Sequence, residues 1–383
     1  MFQFKKAISL LLSLCILFVS LTLPSYAEDG QISVSAQSAV LMEANSKTAI
    51  YSKNADTPLP MASTTKIMTA LVALELASPD TVITVDASAV GIEGSSVYLF
   101  EGEKLTLEQL LYALLLESAN DAAVAIAVGI SGSVEAFAAE MNRKAEDLGL
   151  LHTHFTNPHG LDDEGHYTTA YELALIAREL LQNPLLRTIT STRKITIPHS
   201  QSEGGRLLVN HNKMLRMYDG CIGVKTGFTR HSGRCLVSAA ERNGVTMIAV
   251  TLNAPNDWND HTKLLDSGFA QYQSLTLCQK NEIQYTLHLI NGTEENVLLS
   301  NPETLSLTLP KSCGKIRVVI ECRRFEYAPI QSKEIAGQAV FYCDTDRNGK
   351  EEAIAFVPLI ATKTVEQLPK KNWFIQWWQE IFS

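Results

Sequence analysis

Apolar and polar positions alternate over residues 33–51, where Ala39-Val40-Leu41-Met42 leads into the turn text Asn45-Ser46-Lys47 and returns through Thr48-Ala49-Ile50-Tyr51. That pattern predicts a β-hairpin. Pro58 and Pro60 punctuate the chain, and residues 62–76 (ASTTKIMTALVALEL) then have the length and apolar spacing of a helix buried on most sides, with Ser63 in its first turn. Helical periods follow over 107–116, 120–130, 133–148 and 169–181, predicting a helical insert spanning about 82–200. Strand patterns resume at 220–226, 233–239 and 245–252, and a helix over 259–272 closes this part. Beyond about Ser274 the text turns to short β-rich runs such as Thr286-Leu287-His288-Leu289-Ile290, separated by Asn291-Gly292 and Asn348-Gly349. A small all-β domain over 275–366 is expected there, after a first domain over 28–274.

The two ends have a different character. Lys5 and Lys6 precede an apolar run from Ala7 to Leu23 and the small-x-small pattern Ser25-Tyr26-Ala27, which predicts a cleaved signal peptide over 1–27, an uncleaved anchor being the alternative. Either reading exports the rest of the chain. Residues 367–383 hold three of the four tryptophans, and at about 100° per residue Trp373, Phe374, Trp377, Trp378 and Ile381 share a face opposite Asn372, Gln376, Gln379 and Glu380. This predicts an amphipathic helix in the plane of a membrane surface, with Lys370 and Lys371 near anionic headgroups; docking on the β domain is the other reading.

Length and composition set bounds. At 383 residues, 46% hydrophobic and 19% charged, the chain is globular and long enough for two cores. Its formal charge is −9, or −11 once residues 1–27 are removed, and no Lys/Arg block interleaves with aromatics, so nucleic-acid binding is excluded. Of seven cysteines, Cys15 lies in the leader and the others form no CxxC pair, which gives no metal site. Cys221 and Cys235 fall on two runs expected to pair as neighbouring strands, and a cross-strand disulfide is expected between them.

Three Ser-x-x-Lys tetrads occur, at Ser63–Lys66, Ser191–Lys194 and Ser312–Lys315, and only the first begins a helix. There, residues three apart are surface neighbours, so the Lys66 amine lies within proton-transfer reach of the Ser63 hydroxyl. A lysine acts as a base only where burial or nearby positive charge keeps it neutral, and Ile67, Met68 and Leu71 supply apolar surroundings. Ser-x-Asn appears at Ser52–Asn54, in a polar turn, and at Ser118–Asn120, wedged between two apolar helices. The second pair suits either a helix cap or a site in which Ser118 relays protons and Asn120 holds a substrate amide and the lysine. Lys225-Thr226-Gly227 offers a fixed positive charge, a hydroxyl and a position without a side chain at the end of a strand.

Together these three motifs resemble the signature set of penicillin-binding proteins and serine β-lactamases. The text Phe155-Thr156-Asn157-Pro158-His159-Gly160-Leu161-Asp162, His166-Tyr167-Thr168-Thr169-Ala170 and Gly233-Arg234-Cys235-Leu236-Val237-Ser238 is similar to the D-alanyl-D-alanine carboxypeptidase family of low-molecular-mass penicillin-binding proteins, over about residues 30–270. The resemblance implies an α/β + β architecture: a penicillin-binding/β-lactamase-like α/β sandwich with an antiparallel sheet and helical insert, then the small all-β domain and the C-terminal amphipathic helix. It implies Ser63 as acyl-enzyme nucleophile, Lys66 as base, Ser118 as proton relay, Asn120, Lys225, Thr226 and Gly227 as substrate-binding residues, and the backbone N–H groups of Ser63 and Phe228 as oxyanion hole. Implied partners are peptidoglycan stem peptides, β-lactam antibiotics as covalent inhibitors and the outer face of the cytoplasmic membrane, with no metal or organic cofactor. A basic residue that some relatives place after the final core strand reads here as Asn256-Asp257-Trp258-Asn259, leaving Thr226, Lys225 or Arg230 to share the substrate carboxylate. A class A β-lactamase, the nearest alternative, needs a deacylating carboxylate for which Glu164 and Glu172 are the candidates; a non-catalytic wall-binding protein on the same fold is a second alternative.

Overall fold

The computed structural model describes residues 32–199, 201, 204–344 and 349–369. The expected leader over 1–27 and residues 370–383 of the expected terminal helix lie outside the described residues, and Gln367 forms an isolated bridge with Gly292 instead of a helical turn.

In chain order the first part contains β1 (Ser38–Glu43), β2 (Ala49–Lys53), a 3-10 turn (Ala62–Thr65) running into α1 (Lys66–Leu76), β3 (Val82–Thr84), β4 (Lys104–Thr106), α2 (Leu107–Leu116), α3 (Asn120–Ser131), α4 (Val134–Asp147), α5 (Ala170–Gln182), α6 (Pro184–Ser191), β5 (Lys194–Ile197), β6 (Arg206–Val209), α7 (Met214–Met217), β7 (Cys221–Thr229), β8 (Gly233–Arg242), β9 (Val245–Leu252) and α8 (Asp257–Gln271). One antiparallel sheet has the order β2-β1-β9-β8-β7, so the N-terminal hairpin joins the strands that follow the insert. The sheet is covered on one side by a core in which Cys235, Val237 and Ala239 of β8 meet α1, α2 and α5. Leu110, Leu111 and Leu114 of α2 and Phe137 of α4 are wholly buried there, each contributing roughly 2 kcal/mol of apolar burial.

Local chemistry explains the boundaries. Thr106 caps α2 in a reciprocal arrangement with Gln109, and Thr169 caps α5 by accepting from the Glu172 amide. Pro184 starts α6, a helix the hydrophobic pattern did not reveal, with Asn183 accepting from the Leu185 and Leu186 amides. Two expectations need correction here. The helix expected over 62–76 opens as a 3-10 turn, which carries Ser63, and the strand expected to end at Thr226 continues to Thr229, so Lys225-Thr226-Gly227 lies inside β7.

The second part follows α8 directly: β10 (Tyr272–Cys278), β11 (Gln284–Ile290), β12 (Asn296–Ser300), β13 (Leu305–Pro310), β14 (Arg317–Cys322), β15 (Phe325–Tyr327), β16 (Ile335–Cys343) and β17 (Glu352–Ala361). β10 pairs with β13, and the remaining strands form one sheet in the order β14-β16-β17-β12-β11-β15. Leu287, Val297, Leu299 and Leu359 form its core.

The expected Cys221–Cys235 bridge is not made. In the β7–β8 register Cys221 stands opposite Ala240 and Cys235 opposite Gly227, which puts the two thiols far apart along the ribbon. The disulfide joins Cys313 and Cys343 instead, with a Cα–Cα separation of 6.5 Å. Alkylation of the unfolded, unreduced chain should therefore modify Cys221, Cys235, Cys278 and Cys322 and spare Cys313 and Cys343 until a reductant is added; a peptide map with Cys221 or Cys235 protected would contradict this pairing.

Candidate active site

Ser63 is half-buried at the start of the 3-10 turn and Lys66 is completely buried one turn later, with Nζ 3.0 Å from Ser63 Oγ. The lysine also donates to Asn120 Oδ1 at 2.7 Å and to the carbonyl oxygen of His159 at 2.6 Å. Burial, followed by the positive charge of Lys225, holds the Lys66 amine well below the usual lysine range, with Asp121 opposing. These partners define the direction of the lone pair. An amide oxygen and a backbone carbonyl accept only, so a neutral amine spends its two N–H groups on Asn120 and His159, and its lone pair is left for the Ser63 hydroxyl proton. Three-residue spacing thus becomes an amine lone pair aimed at a hydroxyl.

The capping reading of Ser118-Ala119-Asn120 is not what the structure shows. Ala119 occupies the cap of α3 without a side-chain bond, while Asn120 bridges Lys66 and the Glu93 carbonyl, to which its Nδ2 donates at 2.6 Å. Ser118 sits at φ 60° in the cleft wall. Next to it, buried Asp121 accepts from the Val97 and Leu99 amides and the Ser96 hydroxyl, fixing the loop that supplies Ser95 to the cleft. Asp121 is not among the expected site residues, since the sequence marks it only as a first-turn acid one position past the motif.

On the other wall, β7 presents Lys225, Thr226, Gly227 and Phe228. Lys225 is buried, its Nζ donates to the Thr226 carbonyl at 3.1 Å, and burial lowers its pKa to about 7. A Cβ on Gly227 would stand 3.1 Å from the backbone nitrogens of Ser63 and Thr64, so a side chain here would press the strand away from the Ser63 backbone by a few tenths of an ångström. Phe228 is exposed, and it lines the cleft together with Ser63, Ser95, Ser118, His211, Lys213, Thr226, Gly227, Arg234, Asp257 and Trp258, around a volume of about 350 Å³. Arg230 is exposed and does not line it.

The His159 carbonyl is held by its own loop. Gly160 has φ +86° and its missing Cβ would lie 2.0 Å from the Ala62 oxygen, so any side chain would push the loop off the Ser63 turn. Asn157 Oδ1 accepts from the His159 and Gly160 amides, and Thr69 Oγ1 donates to the Pro158 carbonyl at 2.6 Å. His166 completes the brace: its Nδ1 accepts from the Thr156 amide, which leaves Nε2 to donate to Thr65 Oγ1 at 2.7 Å. Glu172, a candidate deacylating carboxylate, is committed to the Leu151 and His152 amides and the Thr153 hydroxyl, and Glu164 is exposed. Neither lines the cleft, so the two candidates of the β-lactamase alternative do not serve it.

This sandwich, with its serine and buried lysine facing a Lys-Thr-Gly strand, has the fold of penicillin-binding proteins. The crystal structure of penicillin-binding protein 5 from Haemophilus influenzae matches it with a TM-score of 0.72 at 27% identity, covering 88% of this chain and 100% of that one. The family model for D-alanyl-D-alanine carboxypeptidase matches residues 25–256, and that for the penicillin-binding protein 5 C-terminal domain matches residues 272–367. The chain is 34% identical over 325 residues to D-alanyl-D-alanine carboxypeptidase DacF of Bacillus subtilis, covering 82% of this chain and 83% of that protein. It is 31% identical over 351 residues to D-alanyl-D-alanine carboxypeptidase DacC of Escherichia coli, covering 88% and 85%. The chain belongs to the D-alanyl-D-alanine carboxypeptidase family and is a serine peptidase of the penicillin-binding kind.

The His166 brace has a pH signature. Burial lowers its pKa to about 4 from an ordinary 6.5, so between these values the unfolded chain binds the proton that the folded chain refuses. Its contribution, about 3 kcal/mol, is complete above pH 6.5 and is lost as pH falls toward 4. His159 and His261, each lowered by burial to about 3, act in the same direction. Denaturant unfolding from pH 7.5 to 4.5 should show falling stability, with a shallower fall in His166→Gln; an unchanged slope in the variant would remove His166 from this account.

Proposed function

We propose that this chain removes the terminal D-alanine from peptidoglycan stem pentapeptides through an acyl-enzyme on Ser63. The observation that carries this reading is the Lys66 amine, completely buried, with two acceptor-only partners and its third contact to Ser63 Oγ at 3.0 Å. In the first step Ser63 Oγ bonds to the carbonyl carbon of the penultimate D-alanine as its proton passes to Lys66 Nζ. Charge then develops on the carbonyl oxygen, where the backbone N–H groups of Ser63 and Phe228 form the oxyanion hole; one such donor accounts for roughly 3 kcal/mol of barrier lowering. The C–N bond breaks as the proton held by Lys66 passes through Ser118 to the leaving amine, and D-alanine departs with Lys66 neutral again. A water molecule then attacks the ester as Lys66 takes its proton, and the ester C–O bond breaks as Lys66 returns that proton to Ser63 Oγ, releasing the shortened peptide. Asn120, Lys225, Thr226 and Gly227 hold the peptide along the edge of β7, and no metal or organic cofactor is needed. A β-lactam carries a strained amide to the same serine and gives a stable ester.

Export to the outer face of the cytoplasmic membrane suits this substrate. The apolar leader with its Ser25-Tyr26-Ala27 site supports export, and the tryptophan-rich face of residues 370–383 supports anchoring at a membrane surface.

Incubation with a labelled penicillin should place one slowly decaying adduct on the peptide containing Ser63, and Ser63→Ala should lose both the adduct and D-alanine release from a synthetic pentapeptide, by at least about 10⁴-fold in kcat. An adduct elsewhere, or rapid turnover of the drug, would refute the assignment. The pH profile tests the two lysines. Activity needs Lys66 neutral and Lys225 charged, so kcat/KM should rise through the lowered Lys66 pKa and fall again near 7 as Lys225 loses its proton. In Lys225→Arg, whose charge persists, the alkaline limb should move up by more than one unit; a limb that stays in place would assign it to another group.

A further inference from the structure

The reaction proposed above leaves one charge of the substrate without a partner. A peptide ending in D-alanine carries a free carboxylate, while Lys66 and Lys225 are both buried and Arg230 is outside the cleft. The stretch Asn256-Asp257-Trp258-Asn259 offers no cation of its own. It does, however, hold one that belongs to the neighbouring strand.

Arg234 stands opposite Phe228 in the β7–β8 register, and Leu236 opposite Thr226. Direct cross-strand partners project from the same face, so Arg234 shares a face with Thr226 and Phe228, and it lines the same cleft as Ser63. Its guanidinium is held from two directions. Nη2 pairs with both carboxylate oxygens of Asp257 at 2.9 Å, and Cζ lies 5.7 Å from the centroid of the Trp258 ring. Asp257 is buried and accepts from the Trp258 amide at 2.9 Å, so acid, ring and helix start are one rigid unit. The pair uses a single guanidinium nitrogen. Nε and Nη1 lie outside it, on a side chain still 42% exposed, and this fork is the geometry that takes a carboxylate with two parallel N–H bonds.

We propose that Arg234, positioned by Asp257 and Trp258, anchors the terminal carboxylate of the substrate and so makes the enzyme selective for peptides with a free C-terminus. This rests on the carboxypeptidase reading of the site. Lys213 and His211 also line the cleft, and Glu117 pairs with the His211 ring at 3.0 Å, which leaves Lys213 as the competing cation.

The test compares two substrates of the full chain: an N-acylated L-Lys-D-Ala-D-Ala and the same peptide closed as its C-terminal amide. The wild-type chain should favour the free acid, and in Arg234→Gln the acid-to-amide ratio of kcat/KM should collapse by roughly 10- to 100-fold, chiefly through KM for the acid. Arg234→Lys keeps the charge without the fork and should lower the ratio by only a few-fold; it supplies the readout if the glutamine variant does not fold. A ratio that survives Arg234→Gln, an equal loss on both substrates, or a collapse in Lys213→Gln instead would overturn this role alone. A wild-type chain that releases no D-alanine and forms no penicillin adduct would overturn the carboxypeptidase reading with it.

Discussion

An amine cut off from water governs the architecture of this protein. A charged lysine at the position of Lys66 would lack a carboxylate in direct contact, a state costing several kcal/mol, and the neutral form relieves that cost by becoming a base. Holding it there takes the Ser63 hydroxyl one turn away and two acceptors from distant parts of the chain, an amide at the α2–α3 junction and a backbone carbonyl between α4 and α5. Each acceptor has its own support. Asp121 fixes the loop beside the junction, Gly160 and Asn157 shape the carbonyl's turn, and the His166 ring links that turn back to the start of the nucleophile's helix. The sheet contributes the opposite wall, brought close by a single missing side chain at Gly227.

Much of this was legible in the sequence because the relevant information is local. Three-residue spacing on a helix implies contact between Ser63 and Lys66, and a Lys-Thr-Gly run on a strand implies an exposed backbone edge. Helices α2 to α5 and the closing helix α8 are equally plain from their periods, whereas α6 is not. The parts that escaped are those whose meaning depends on pairing across the fold. The His159 carbonyl leaves no residue signature, since every residue has a carbonyl. Asp121 reads as an ordinary first-turn acid until the loop it grips is placed beside it. Cys221 and Cys235 sit on strands that do pair, yet the register separates them, and sequence spacing says nothing about register.

The same limit applies to the stretch 256–259, which reads as lacking a cation. Its acid and its ring complement an arginine more than twenty positions earlier, and only the order of β8, β9 and α8 in space joins them. On the role proposed for Arg234, a cation missing at one point of the site is matched by a residue on a neighbouring element, and motif comparison position by position would score this as a loss.

The junction after α8 has a mechanical consequence. The helix ends at Gln271 and β10 begins at Tyr272, while Lys311, directly after the paired strand β13, bonds back to the carbonyls of Phe269 and Gln271. No flexible tether separates the five-stranded sheet and its closing helix from the β-rich part of the chain. That part is therefore joined stiffly to the sheet, and a rotation of one is carried to the other instead of being absorbed by a leash.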